Sequence, residues 1–589
     1  MLVYLCTVLG GFSMKRVIAF LLLAVMLSVS LSACAKADPE DYGSIIPLYL
    51  ADPQRDLNPT EMIYDKDFVK SSSLLFEPLT QVTNSGEIVP VLISDWEERY
   101  NEERNEYYLT IDLVSTKWND GRVFTADHVI YAWKYVLSPE NASPAASLLY
   151  DIKNAKDVKA GTLTIDDLGV AAVDTDTLEV QFEKPIDPEL FLEAVSSPSL
   201  VPLRDDVVQG KETVWASSPD DIATNGQFTI RVMDPQGEYR LDFSKYYKLV
   251  NDEDLGYPKK GYNQFVKPYR LVSDFTLSKE EAVQAFEEEK IYYVGAFTAE
   301  TYAANEKEIE SSETLSSFTY YFDCENATLK DAKVRRALSL ALDREKVASI
   351  IGLGAQAAEG FVSDVASGST MKKSYRSETG AIYSKSADVE AAKALLAEAG
   401  VKNGSFTITY RSDREYDVKV AEYAKSVWET LGFSVSLKGL KVNAYETALY
   451  AGDFDVISLD YMALSTNPYA ALAPFAPAYS GNVVSVDAQS SGITPHVTGY
   501  SSDAYSALLD EVLELTTRKE RAKKLQEIEK LLAEDCPAIA LSFYSNNYLA
   551  SSELKGLETS PYGYTIFTNA ELKNYAEKNA AYEESLKQK

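Results

Sequence analysis

The chain alternates between short apolar runs of period two and longer stripes of period 3.6, the marks of strands and helices in one mixed fold. Residues 108–113, 178–182, 228–232 and 406–410 read as strands. Residues 45–50, 267–272, 454–459 and 538–544 are further extended candidates. Helices follow from other spacings. Val129, Ala132, Trp133 and Val136 share one face behind Thr125, a capping residue. Ser278 and Glu281 have the spacing of a capping box. Val389, Ala392, Leu395, Leu396 and Ala399 form a stripe stopped by Gly400. Val420, Ala424, Val427, Trp428 and Leu431 form another, closed by Gly432. With strands at 406–410 and 433–437 on either side, that helix predicts parallel pairing through a right-handed crossover. A long polar-faced helix is predicted over 518–535.

One stretch organises the rest. Residues 319–322 are aromatic and β-prone, 323–328 are polar, and Val334, Ala337, Leu338 and Ala341 then recur at helical spacing. Asp343 ends this helix and caps a second over 344–351. Arg335 and Arg336 are adjacent and point in different directions, so surface or inter-helix ion pairs are expected of them rather than an anion site.

A chain of 589 residues exceeds a single core and corresponds to about three to four domains' worth of sequence. Its formal charge of -32 argues against nucleic acid as a partner. Only two histidines occur, His128 and His496, which leaves little for histidine metal sites or general-base catalysis. Asp120 and Asp127 lack the spacing of a calcium loop and suit a turn and a helix start. The cysteines are Cys6, Cys34, Cys324 and Cys536, with no C-x-x-C pair, and the last two are expected to be free thiols. No metal or cofactor is expected.

Lys15 and Arg16 precede an apolar run at 17–31 that ends in Leu31-Ser32-Ala33-Cys34. This is the layout of an export signal, too short for a comfortable span. Its end resembles a bacterial lipobox, which implies cleavage before Cys34 and lipidation of its sulfur. Met14 is the expected start, with residues 1–13 upstream of it, 1–33 the signal and 34–43 a tether.

A set of motifs spreads over almost the whole mature chain. They are Lys117-Trp118-Asn119-Asp120-Gly121, Tyr131-Ala132-Trp133-Lys134, Tyr150-Asp151-Ile152-Lys153-Asn154-Ala155 and Thr224-Asn225-Gly226. Then come residues 329–344, LKDAKVRRALSLALDR, residues 394–400, ALLAEAG, and Gly452-Asp453-Phe454-Asp455. Together they resemble the extracellular solute-binding proteins of peptide-type ABC importers. The resemblance implies an α/β fold of the large, peptide-binding type II class, with two lobes, an inserted subdomain and a two-strand hinge. Lobe I is expected over 44–84, 215–318 and 546–570, the insert over 85–214 and lobe II over 319–545. The hinge is expected near 319–322 and 543–546, and 571–589 reads as a charged tail with no clear partner. The implied role is a monomeric, non-enzymatic receptor, lipid-anchored on the outer face of a bacterial, Gram-positive cell membrane. It would capture an oligopeptide and hand it to an ABC permease. A sensory receptor, or one for oligosaccharides or modified peptides, is the alternative. A surface hydrolase lacks any G-x-S-x-G or H-E-x-x-H motif.

The resemblance also places the ligand contacts. After the Gly-Asp-Phe-Asp strand, the family carries an aromatic, three residues later an aspartate that pairs with the peptide α-ammonium, and then an acidic-proline turn. Here Tyr461 takes the aromatic position and Asn467-Pro468 the turn, while the aspartate position falls on Leu464. Tyr461, Leu464, Ser465, Thr466 and Asn467 are the expected ligand-binding residues, with Asp460 the nearest substitute carboxylate. A leucine cannot pair with an ammonium, so a blocked, cyclic or longer peptide, or a non-peptide, is expected at that spot.

Overall fold

The computed structural model describes residues 43–53, 57–61, 66–212, 214–248, 265–481 and 495–587. The signal, Cys6, Cys34, most of the tether and the side chain of His496 lie outside the described residues.

The first lobe is built on a four-stranded sheet in the order Ile45–Leu48, Arg270–Asp274, Glu238–Phe243, Phe228–Met233. Its first pair is parallel and the others antiparallel. A second four-stranded sheet, Ile93–Asn101, Glu106–Leu113, Thr177–Phe182 and Val170–Ala172, is antiparallel throughout and forms the insert. Helices pack around it, among them Ala126–Leu137 and Pro188–Ala194. In Ala126–Leu137 the expected cap, Thr125, is joined by His128 in a capping box. Helix α1, Pro188–Ala194, is capped by Asp187. The Thr224-Asn225-Gly226 motif meets the insert through Thr224, whose main chain bonds Asn119, and ties two segments of lobe I together. Asn225 reads the main chain of Glu77 with both ends of its amide. A Cβ on Gly226 would sit 2.6 Å from Leu75 carbonyl atoms, so only glycine fits there.

The second lobe hangs on one large sheet. Strand β1 (Glu310–Phe322) lies between β2 (Val456–Met462) and β3 (Ala538–Ala550), both antiparallel to it. Beyond β2 come Gly404–Arg411 and Phe433–Leu440, paired in parallel around helix α2 (Glu415–Thr430), as the strand–helix–strand pattern predicts. Far along β3, Tyr293–Val294 of lobe I joins the same sheet, so β1 and β3 run through both lobes. Their pairing slips between Glu313 and Ser317 and again between Phe318 and Thr319, and residues 319–322 lie in the sheet between β2 and β3.

Among the described residues Arg335 makes none of the ion pairs expected of it. It is buried, and its guanidinium donates to the carbonyls of Leu329, Lys330, Asp535 and Cys536, closing the C-terminal end of helix α3 (Arg518–Asp535). A planar cation with five donors suits a cluster of orphan helix carbonyls. Cys324 and Cys536 are free thiols. The C-terminal segment has the partner that its sequence does not reveal. Glu571–Leu572 pairs with Leu554–Lys555, and helix Tyr575–Leu586 buries Asn579 against the first strand. There the Asn579 amide accepts from Ile45 N and donates to Gly43 O.

Candidate ligand-binding site

Between the lobes, at the slip in β1, lies a cavity of about 430 Å³. Thr83 and Asn84 of lobe I, with Ser85 and Gly86 at the start of the insert, face Asp364, Lys373 and Thr466 of lobe II across it, and Glu313 of β1 also lines it. A volume of this size is within the usual range of about 300–1,000 Å³ for ligand sites. On its rim Lys372 and Glu87 pair across the two lobes at 3.2 Å.

Of the five residues expected from sequence, Thr466 lines the cavity and the other four turn into the protein around it. Tyr461, the last residue but one of β2, packs against Phe361 and Phe475 and donates its hydroxyl to Ala471 O at 2.9 Å. Leu464 is 3 % exposed, in the core cluster that also holds Tyr461 and Phe475. Ser465 Oγ accepts from Asn467 N, and Asn467 in turn caps the helix Pro468–Leu472. Thr466 and Asn467 also donate to Glu193 of α1, at 2.6 and 3.1 Å. The segment is thus a rigid turn, fixed from several sides.

Asp460 is already engaged. It is buried, accepting from Arg414 at 2.8 Å and from the Tyr544 hydroxyl at 2.6 Å. Beside it Asp417 is 1 % exposed, bonded only through one oxygen, to Arg411 N and Ser458 Oγ. Burial pushes its carboxyl up to about 7 against the pull of Arg414, and Asp460 adds to the rise. A carboxyl raised in the folded state stabilises most below its unfolded value, 3.8, and that stability is lost as pH rises through about 7. The expected result is a loss of about 2–4 kcal/mol between pH 4 and pH 8 from this group. Urea midpoints over that range check it, and Asp417→Asn is expected to flatten the slope.

Sequence reading missed Glu193, Glu313 and Asp364. Glu193 leaves a trace, a single acid inside the apolar run Leu190-Phe191-Leu192-Glu193-Ala194-Val195. Glu313 and Asp364 lie about fifty positions apart and only the fold brings them to one cavity. Partial burial raises both carboxyls above their ordinary range, and the charge of Asp364 adds to the rise at Glu313. Among the described residues neither accepts a hydrogen bond or stands within ion-pair distance of a cation, and no group of three or more His, Cys, Asp or Glu could hold a metal.

The profile of the bacterial extracellular solute-binding proteins, family 5 (middle region), matches residues 87–482. The chain belongs to this family. Among curated relatives, the periplasmic murein peptide-binding protein MppA of Escherichia coli is 27 % identical over 501 residues, 82 % of this chain and 84 % of its own. The oligopeptide-binding protein OppA of Bacillus subtilis is 24 % identical over 514 residues, 85 % and 87 % of the two chains. The solved structure of MppA superposes with a TM-score of 0.72 at 24 % identity, over 90 % of this chain and 98 % of the other. Against the unliganded open form of MppA the TM-score is 0.57. No helix among this chain's described residues is long and apolar enough to cross a membrane.

Proposed function

We propose that this solute-binding protein captures an extended peptide between its lobes and delivers it to an ABC permease. It acts as a lipid-anchored, monomeric receptor tethered through Cys34, without catalysis. The observation that carries this reading is the interlobe cavity, lined from both lobes beside the turn that holds Leu464 and Thr466. The relatives' names, murein peptide-binding and oligopeptide-binding, support the ligand class. A peptide suits such a site because its backbone groups are the same in every sequence and roomy pockets tolerate the side chains. Thr466 presents this turn to the cavity, with Tyr461, Leu464, Ser465 and Asn467 behind it, and forms the wall along which the peptide lies. Leu464, apolar and buried, meets no ammonium there; Glu313 and Asp364 offer their charge to a cationic side chain instead.

Titration calorimetry tests this with a lysine-containing tetrapeptide, its N-acetylated form, and the same peptide with alanine for lysine. Acetylation is expected to change affinity less than about threefold, a difference under 1 kcal/mol. Loss of the lysine, or Glu313→Gln with Asp364→Asn, is expected to weaken binding about fivefold, the worth of a partly exposed ion pair. Binding abolished by acetylation contradicts the reading of Leu464, and absence of binding to any peptide contradicts the proposal.

A further inference from the structure

We infer that Glu193 is a positioning residue that latches the insert onto lobe II and fixes the ligand-facing turn. The inference rests on the two-lobe reading above and is independent of which ligand lies between the lobes. Glu193 is completely buried on α1, among apolar neighbours. An isolated carboxylate there would be strongly disfavoured. Its two oxygens are instead fully used. One accepts from Ser367 Oγ at 2.7 Å and Thr466 Oγ1 at 2.6 Å, the other from Asn467 Nδ2 at 3.1 Å and Arg518 at 2.8 Å. Arg518 itself is buried and also donates to Ser367 Oγ.

None of these donors belongs to the insert. They come from three separate segments of lobe II: the loop at Ser367, the turn at Thr466 and Asn467, and the first residue of α3. The charge of Glu193 is therefore compensated by protein only when the lobes meet, and separation returns Glu193 and Arg518 to water. Two of the donors, Ser367 and Thr466, also line the cavity. The same interface carries the bidentate pair of Arg521 with Asp151, at 2.7 and 2.6 Å, and a bond from Asp187 N to Thr516 O.

A buried pair of this kind adds little net stability over apolar residues of similar volume. What it supplies is a unique docking position, because any displaced register leaves a buried charge unpaired. Glu193→Ala strands Arg518 and three further donors in the closed arrangement and so favours the open one. Glu193→Leu combined with Arg518→Met removes both charges and leaves an apolar contact.

The test combines small-angle scattering with hydrogen exchange, on the protein as purified and after its ligand is stripped by unfolding and refolding. Glu193→Ala is expected to have a larger radius of gyration than wild type in at least one condition. Its exchange at residues 188–196 and 465–472 is expected to rise about tenfold, with 404–411 unchanged. The double apolar variant is expected to return both readouts to wild-type values, which rescue from a merely local loosening would not give. Circular dichroism confirms that each variant is folded, and Glu193→Gln, expected to be intermediate, serves if Glu193→Ala is not. A wild type that changes radius on stripping while the variants match it overturns the latch alone. A single radius in every protein and condition overturns the lobe-motion reading and the latch with it.

Discussion

Glu529→Ala is expected to destabilise the protein by about 3–5 kcal/mol, the cost of stranding one partner of a buried ion pair. Glu529 is completely buried on α3 and meets Arg376, itself 5 % exposed, at 2.5 Å. The same oxygen accepts from Phe361 N and Val362 N, at 2.8 and 3.0 Å. These bonds hold the loop that leads to Asp364 and presents Phe361 to Tyr461 at a ring separation of 5.3 Å. Loss of Glu529 therefore frees one wall of the cavity as well as leaving a guanidinium unpaired. Urea unfolding measures the first effect. Glu529→Gln should recover part of the stability, because it keeps an acceptor for the two amides and loses only the charge.

Trp428→Ala is expected to cost about 3–5 kcal/mol, the range for removing a fully buried large aromatic. The indole is completely buried on α2, with the rings of Tyr320, Phe322 and Phe406 5.5–6.5 Å away. Its Nε1 donates to Leu338 O at 2.9 Å. One side chain thus joins the crossover helix, the sheet and the helix that follows the hinge. Deletion leaves a cavity and an unsatisfied carbonyl together. Thermal and urea unfolding check the size, and Trp428→Phe should cost less, since it keeps most of the volume and loses the hydrogen bond.

The same residues show why so much of lobe II is legible in the sequence. Trp428 falls in a stripe of period 3.6 between two runs of period two, and that local pattern determines helix, strands and parallel pairing at once. Asp343 and Ser278 are equally plain, because a cap acts on amides two or three residues away. Strands such as Ile93–Asn101 and Glu238–Phe243 are harder to read. The first is exposed along nearly its whole length, and its polar sequence ISDWEERYN carries no apolar alternation. The C-terminal helix reads as an unattached tail because its main attachments are polar, Lys578 to Glu553 and Asn579 to a strand more than five hundred positions earlier.

The site follows the same logic. Residues 461–467 form one contiguous segment and stand out through a family pattern. Glu193, Asp364 and Glu313 act by where folding carries them. Nothing within ten positions of Glu193 foretells that its partners are Ser367, Thr466, Asn467 and Arg518. Arg335 is a related case: its charge is visible, but the carbonyls it binds belong to the end of a helix two hundred residues away.

The central claim is that a peptide occupies the space between the lobes. Native mass spectrometry of the protein purified from an exporting bacterial host and incubated with a pool of tri- to pentapeptides tests it most directly. One bound mass of a few amino-acid residues per protein is expected, released on activation and fragmenting into a peptide ladder. An adduct that yields no amino-acid masses, or a protein that remains unliganded in the pool, contradicts it.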